Sequence, residues 1–91
     1  MKMALISSCK INNFTKIIDE NCTEIITNIP YLREQISDIP ITYEKDIDII
    51  IQSSNYVAVI YDQMHQPSTA AISKCRKYHI SFEIVNADQI Q

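Results

Sequence analysis

Tyr-Val-Ala-Val-Ile-Tyr, residues 56–61, is a run of six apolar residues that stops at Asp62. A continuous run of β-branched and aromatic residues of this length predicts a strand covered on both faces, as in the centre of a parallel sheet. Met-Ala-Leu-Ile, residues 3–6, is a second run of the same kind and is followed by Ser7. The sequence therefore predicts two central parallel strands.

Three shorter segments predict the other strands of the sheet. Glu24–Thr27 follows the pattern of a short buried strand. Residues 39–41 form another candidate, which belongs at an edge because Pro40 has no backbone N–H to donate. Apolar and polar residues alternate over 80–86, as in a half-exposed edge strand. About five strands are expected.

Segments with helical periodicity separate these strands. Residues 13–21 predict the first helix, with Asn12 or Asn13 as its N-cap. Residues 28–30 predict the start of the second helix, because Pro is tolerated in a first turn. The linkers between strands are thus expected to be helical.

The third and fourth helices have clearer start signals. Thr42 is the expected N-cap of the third, which places Tyr43, Ile47, Ile50 and Ile51 on one face. Pro67 opens the fourth, and Lys and Arg residues near its end complement the helix dipole. Both helices are expected to pack on the sheet.

Strands that alternate with helices predict an α/β fold with a parallel sheet. We expect a Rossmann-like three-layer α/β/α arrangement with a mostly parallel sheet of about five strands in the order 3-2-1-4-5. A chain of 91 residues has room for one core, so residues 1–91 are expected to form a single domain.

Composition narrows the function classes. The net charge of −3, without clustered Lys and Arg, argues against a nucleic-acid partner. Three cysteines without CxxC spacing and two separated histidines predict no disulfide framework and no metal site. No stretch approaches a membrane span, so we expect a cytoplasmic protein with no membrane partner and no cofactor.

The expected binding site lies at the switch point, the place where the chain reverses its direction through the sheet, beyond the carboxyl ends of the strands. Polar side chains and one thiol follow the two central strands and the strand beside them. The candidate ligand-binding residues are Ser7, Ser8, Cys9, Thr27, Asn28, Asp62, Ser68 and Thr69. Unusually, none is accompanied by glycine, because the chain contains none.

These elements and loops are similar to the SLOG superfamily, the Rossmann-like group of the DNA-processing A proteins and the Lonely Guy phosphoribohydrolases. The likeness is greatest to its small stand-alone bacterial members. In the family, Gly-Ser/Thr-Arg follows the first strand, where this chain keeps the Ser8 hydroxyl, and Ser-Gly-Gly follows the second, where residues 27–29 read Thr-Asn-Ile. After the fourth strand the family has an Asp and then Gly-Thr, against Asp62 and Pro-Ser at residues 67–68.

The resemblance implies a degenerate member that is not an enzyme, because the Arg and Glu signature of the phosphoribohydrolases has no counterpart. It implies a module that binds a nucleotide-like or other small anionic ligand, such as a phosphorylated small molecule, at the carboxyl edge of the sheet.

Two alternatives remain open. The apolar edge at residues 80–85 suits a structural or protein-interaction module without a ligand, and in particular a homo-oligomer. Cys9 just after the first strand, followed by Thr15, resembles the phosphocysteine loop of sugar-phosphotransferase IIB domains. That resemblance implies a phosphocysteine carrier with a Cys9 thiolate stabilised by backbone N–H groups.

Overall fold

The computed structural model describes residues 1–11 and 13–90. Its five strands are β1 (Lys2–Ser7), β2 (Glu24–Thr27), β3 (Ile41–Tyr43), β4 (Tyr56–Tyr61) and β5 (Ser81–Asn86). All neighbouring strands are parallel, and their order is β3-β2-β1-β4-β5. The Rossmann-like layout and the strand order predicted from the sequence are confirmed.

The two central strands are those with continuous apolar runs. β1 lies between β2 and β4, with Ala4 opposite Ile26 on one side and Val57 on the other. The four middle residues of β1 and of β4 are at most 1% exposed. Because both faces of these strands are covered, every one of their side chains is apolar up to the strand ends.

Helices α2 (Ile47–Gln52) and α3 (Thr69–Lys77) cover one face of the sheet. Their buried residues, Ile50, Ile51, Ala71 and Cys75, pack against the side chains of the central strands. The other face is covered by residues 8–11 and 13–23, helix α1 (Leu32–Gln35) and a 3₁₀ turn at Ala87–Gln89. The molecule therefore has three layers, and one outer layer is largely without regular structure.

The helix predicted at residues 13–21 is wrong. Two turns are present instead. In the first, the N–H groups of Ile17 and Ile18 both donate to the Phe14 carbonyl, and in the second the Cys22 N–H donates to the Asp19 carbonyl. Asn13 Oδ1 accepts from the Thr15 N–H, and an Asp19 carboxylate oxygen accepts from the Asn21 N–H. Such local side-chain bonds replace helical ones, so the apolar period here records contacts with the sheet. The alternative cap, Asn12, lies outside the described residues.

The third strand and third helix also differ from the prediction. β3 starts one residue after Pro40, whose carbonyl accepts from the Ile25 N–H. Thr42 lies in β3 opposite Ile26, so it is not a cap, and Tyr43 lies in this edge strand instead of on a helix. The N-cap of α2 is Asp46, whose side chain accepts from the Asp48 N–H at 2.9 Å.

The other two helices begin later than predicted. α1 begins at Leu32, two residues after the predicted start at residues 28–30. α3 begins after Ser68 instead of at Pro67. Beyond α3, His79 has φ of 56°, and the Ile80 N–H donates to the Cys75 carbonyl at 2.9 Å. This is a Schellman-type helix end with His where Gly is usual.

The edge strand predicted at residues 80–86 is confirmed as β5, although its burial is uneven. Phe82 packs partly against the layer of α2 and α3, whereas Ile84 is 49% exposed. Across residues 1–11 and 13–90, none of the helices has the length and apolar character needed to span a membrane.

Candidate functional site

The carboxyl ends of β1 and β4 form the switch point of the sheet. The chain leaves β1 toward β2 on one side and leaves β4 toward β5 on the other, and Ser7 lies opposite Ile60 in the register. The loops after the two strands are joined directly, because Ser8 Oγ lies 2.8 Å from the Gln66 carbonyl oxygen and 3.3 Å from that of Ile60. Ser8 is thus at the centre of the expected site.

Ser7 fixes the start of the loop after β1. Its hydroxyl accepts from the Cys9 N–H at 3.1 Å and donates to the Cys9 carbonyl at 2.6 Å. The Ser7 N–H donates to Asn28 Oδ1 at 3.1 Å, which ties this loop to the end of β2. These three residues form one connected set of polar contacts beside Ser8.

Thr27 has a structural position. Its side chain is fully buried, and its hydroxyl donates to the Leu5 carbonyl at 2.8 Å and accepts from the Ile29 N–H at 3.0 Å. Both hydrogen-bonding roles of the hydroxyl are used between β1 and the turn after β2. The structure therefore brings Thr27 near the site without presenting it to solvent.

Asp62 organises the loop after β4. One carboxylate oxygen, Oδ1, accepts from the N–H groups of Met64 and His65 at 2.9 and 2.7 Å and lies 2.9 Å from His65 Nδ1. Partial desolvation raises the pKa of Asp62, but the hydrogen bonds from His65 and Met64 outweigh it and leave that pKa below its ordinary value. These three contacts all involve Oδ1, and the Asp62 side chain also interacts with the Cys9 thiol.

The environment of Cys9 disfavours a thiolate. Burial is the largest influence and raises the pKa of the Cys9 thiol, whereas the hydrogen bond with the Ser7 hydroxyl lowers it. The charge and hydrogen bond of Asp62 and the charge of Asp88 raise this pKa further, so the net shift is upward. A nucleophilic or phosphate-carrying cysteine needs the opposite shift, produced by cations or several N–H donors. The thiol is therefore in its neutral form in this site.

Asp88 belongs to the site and is absent from the sequence-based candidates. It lies in the 3₁₀ turn after β5, where Asn86 Oδ1 accepts from its N–H at 3.0 Å. Its own Oδ2 accepts from the Gln63 N–H at 2.8 Å, so it holds the loop after β4. The sequence signal is the pair Asn86 and Asp88 directly after an edge strand, a pattern typical of a side-chain turn.

The two remaining candidates are at the start of α3. One caps that helix, and the other lines a separate groove. Ser68 is the N-cap, and its hydroxyl accepts from the Ala71 N–H at 3.1 Å. Thr69 lines a groove of about 370 Å³ on the outer side of α3 with Ile72, Ser73 and Arg76. The site that the structure assembles therefore consists of Ser7, Ser8, Cys9, Asn28, Asp62 and Asp88.

The arrangement offers mostly hydrogen-bond acceptors. Asp62 and Asp88 contribute two carboxylates within a short stretch of surface, and the cationic partner among them is His65 when it is protonated. Such a surface favours ligand groups that donate hydrogen bonds over groups that carry negative charge. In the described part of the chain, no three His, Cys, Asp or Glu side chains are grouped so that they could hold a metal ion.

A second concavity lies on the opposite outer layer. A cleft of about 310 Å³ is lined by residues 15, 18–20, 22 and 35–39, including Ile18, Cys22 and Ile36.

Comparisons with protein-family models, curated proteins and solved structures found no match for this chain. The proposed function therefore rests on the geometry of the switch point.

Proposed function

We propose that the protein is a non-catalytic Rossmann-like module that binds a small nucleotide-like ligand at the carboxyl ends of β1 and β4. The observation that carries this proposal is the strand order, which brings the Ser8 loop and the Asp62 loop together at the switch point. Open parallel sheets bind their ligands at this position, beyond the carboxyl ends of the strands.

The charges of the site support a particular orientation of the ligand. We infer that the sugar-like, hydroxyl-bearing half lies against Asp62, because a carboxylate accepts hydrogen bonds from hydroxyl groups and repels phosphate. Oδ2 of Asp62 is the acceptor that this orientation uses. An anionic group of the same ligand is expected on the side away from Asp62 and Asp88.

The absence of catalysis is part of the proposal and has two supports. The raised pKa of Cys9 opposes its use as a nucleophile. The lowered pKa of Asp62 keeps this carboxyl ionised, so it is unsuited to the role of a general acid.

Two further proposals concern the superfamily of the chain and its location in the cell. We propose that the chain is a degenerate bacterial relative of the SLOG superfamily, which the strand order and the positions of Ser8, Asp62 and Ser68 support. We also propose a cytoplasmic location, which the three free cysteines support.

A thermal-shift screen against nucleosides, nucleotides, nucleotide sugars and phosphosugars tests the ligand proposal. Binding at a hundredfold excess over Kd adds about 2.7 kcal/mol, so Tm is expected to rise by roughly ten degrees or more for one class. Asp62→Asn and Ser8→Ala are expected to abolish the rise. The matched controls Asp38→Asn and Ser73→Ala change exposed residues elsewhere and are expected to keep it.

Two results contradict the proposal. One is a well-folded protein whose Tm no compound raises. The other is a rise that survives in both Asp62→Asn and Ser8→Ala, because binding then takes place away from the switch point.

A further inference from the structure

The outer edge of β5 differs from the other edge of the sheet. β5 has six residues, whereas β3 at the opposite edge has three. Edge strands of monomeric proteins are usually short or carry Lys or Pro, which prevent further pairing. The β5 sequence Ser-Phe-Glu-Ile-Val-Asn contains neither, and Glu83 is its one charged residue. Its outward N–H and C=O groups are therefore open to another strand.

An apolar surface accompanies this open edge. Phe82 lies on the α2 and α3 side of the sheet beneath Arg76, whose guanidinium carbon is 6.0 Å from the ring centre. Ile84 lies on the same side two residues later and is 49% exposed. Ile72 and Arg76 line the groove of about 370 Å³ on α3. We call Ile72, Arg76, Phe82 and Ile84 the β5 edge surface.

We propose that the β5 edge surface binds a second copy of this chain, with the two β5 strands antiparallel about a two-fold axis at Ile84. This inference is independent of the ligand proposed for the switch point. In this register Ile84 faces Ile84 of the second copy, and Glu83 faces Val85 instead of another Glu83. On the α3 side Ile84 thus meets Ile84 and each Phe82 faces Asn86, while like charges do not meet.

Charge favours the antiparallel direction. α3 has Arg76 and Lys77 in its last turn, just before β5 begins, besides Lys74, which is paired with Asp48. Asp88 follows the end of β5. Antiparallel pairing places the basic start of one β5 beside the acidic end of the other. Parallel pairing places like charges together at both ends, so the self-complementary arrangement is the antiparallel one.

The area that a stable dimer needs is a modest fraction of the surface of this molecule. A specific interface buries at least about 1,000 Å² in total, or about 500 Å² from each copy. This is about a tenth of the 5414 Å² surface of the molecule. A sheet of ten strands is the expected assembly.

Analytical ultracentrifugation of the full chain over a wide concentration range tests the proposal. The wild-type protein is expected to reach twice its mass of 10.5 kDa. Ile84→Lys is expected to weaken dimerisation at least about thirtyfold, the range of an interface hot spot, with Tm of the monomer nearly unchanged. Ile49→Lys is a matched control, because Ile49 on α2 is 47% exposed and lies outside this surface, and it is expected to remain dimeric.

Cysteine crosslinking tests the register. Under mild oxidation, Ile84→Cys is expected to form a disulfide-linked dimer, because the two Ile84 positions face each other within disulfide distance. Glu83→Cys is the neighbouring control and is expected to crosslink much more slowly. A wild-type protein that stays monomeric at every concentration overturns the proposal. So does a dimer that Ile84→Lys leaves intact, since the interface then lies elsewhere.

Discussion

The two faces of the sheet are buried equally well by different kinds of structure. On one face, α2 and α3 supply Ile51 and Cys75, both fully buried. On the other, the mainly irregular layer formed by residues 8–11 and 13–23 supplies Ile11 and Phe14, which are 0% and 2% exposed. A parallel sheet therefore needs apolar coverage and satisfied backbone groups, and helices are one way to provide both.

The irregular layer satisfies its backbone through side chains. The hydroxyl of Tyr31 accepts from the buried Ile11 N–H at 3.0 Å, and the Tyr31 ring lies 6.4 Å from that of Phe14. Asn13 and Asp19 accept from other N–H groups of the segment. This layer is therefore held by a few specific contacts, whereas the helical layer is held by repeated ones.

The largest expected effect compares one core residue from each layer. We expect Phe14→Ala to lower the free energy of unfolding by about 3–5 kcal/mol and Ile51→Ala by about 2–5 kcal/mol, since both leave cavities in a packed core. Urea unfolding followed by circular dichroism measures both values. Met64→Ala, at a side chain that is 83% exposed, is the control with little effect.

A cost below about 1 kcal/mol for Phe14→Ala would contradict the equal packing of the two layers. It would mean that the irregular layer collapses around the missing ring and is packed more loosely than the helical one.

The second prediction concerns the polar anchor of the irregular layer. Tyr31→Phe removes the acceptor of the buried Ile11 N–H and is expected to cost about 1–2 kcal/mol. Hydrogen exchange at the Ile11 amide is expected to become faster, while the amides of α3 are unchanged. Tyr43→Phe, at an exposed ring on β3, is the matched control. Unchanged exchange at Ile11 would show that the hydroxyl does not hold the segment.

The smallest effect concerns a contact within the helical layer. Asp48 on α2 accepts from Lys74 Nζ at 2.5 Å and from the Tyr78 hydroxyl at 2.9 Å. These hydrogen bonds, that of Lys74 first, hold the pKa of Asp48 below its ordinary value near 3.8. The ionised carboxylate therefore favours the folded state. Its contribution is complete above the unfolded pKa and is lost as pH falls through the lower folded pKa.

Asp48→Asn is accordingly expected to flatten the acid side of a plot of Tm against pH, below about pH 4. Part of the acid dependence is expected to remain, because the pKa of Asp62 is also lowered. Asp38→Asn, at an exposed carboxylate outside this contact, is the control. An unchanged acid side in Asp48→Asn would show that the link between α2 and α3 contributes nothing to stability.

Sequence patterns predicted the parts of the fold that follow from burial alone. The apolar runs gave β1 and β4 because a strand covered on both faces has no polar alternative. The prediction of a helix at residues 13–21 was wrong because Phe14 and Ile17 reach the core from a segment that is not helical. Thr42 failed as a cap because a β-branched residue beside Tyr43 is equally suited to an edge strand.

The site was predicted in location and only partly in content. Ser8 and Asp62 follow central strands, so topology alone brought them together. Sequence did not reveal that Thr27 is buried, because that depends on a hydrogen bond to Leu5 on a neighbouring strand. Asp88 was missed for a similar reason, since its contact with Gln63 joins two distant segments.

Among the described residues, only His79 has a positive φ, and this has a consequence for the unfolded chain. The other described residues have backbone angles that residues with a side chain adopt readily, so the fold requires almost no glycine. An average chain of 91 residues contains about six glycines. Each glycine replaced at a compatible position reduces the conformational entropy of the unfolded state and stabilises the fold by about 0.4–1 kcal/mol. A small core is thereby offset by a stiffer unfolded chain, and a glycine introduced into any of these loops is expected to weaken the protein without removing a contact.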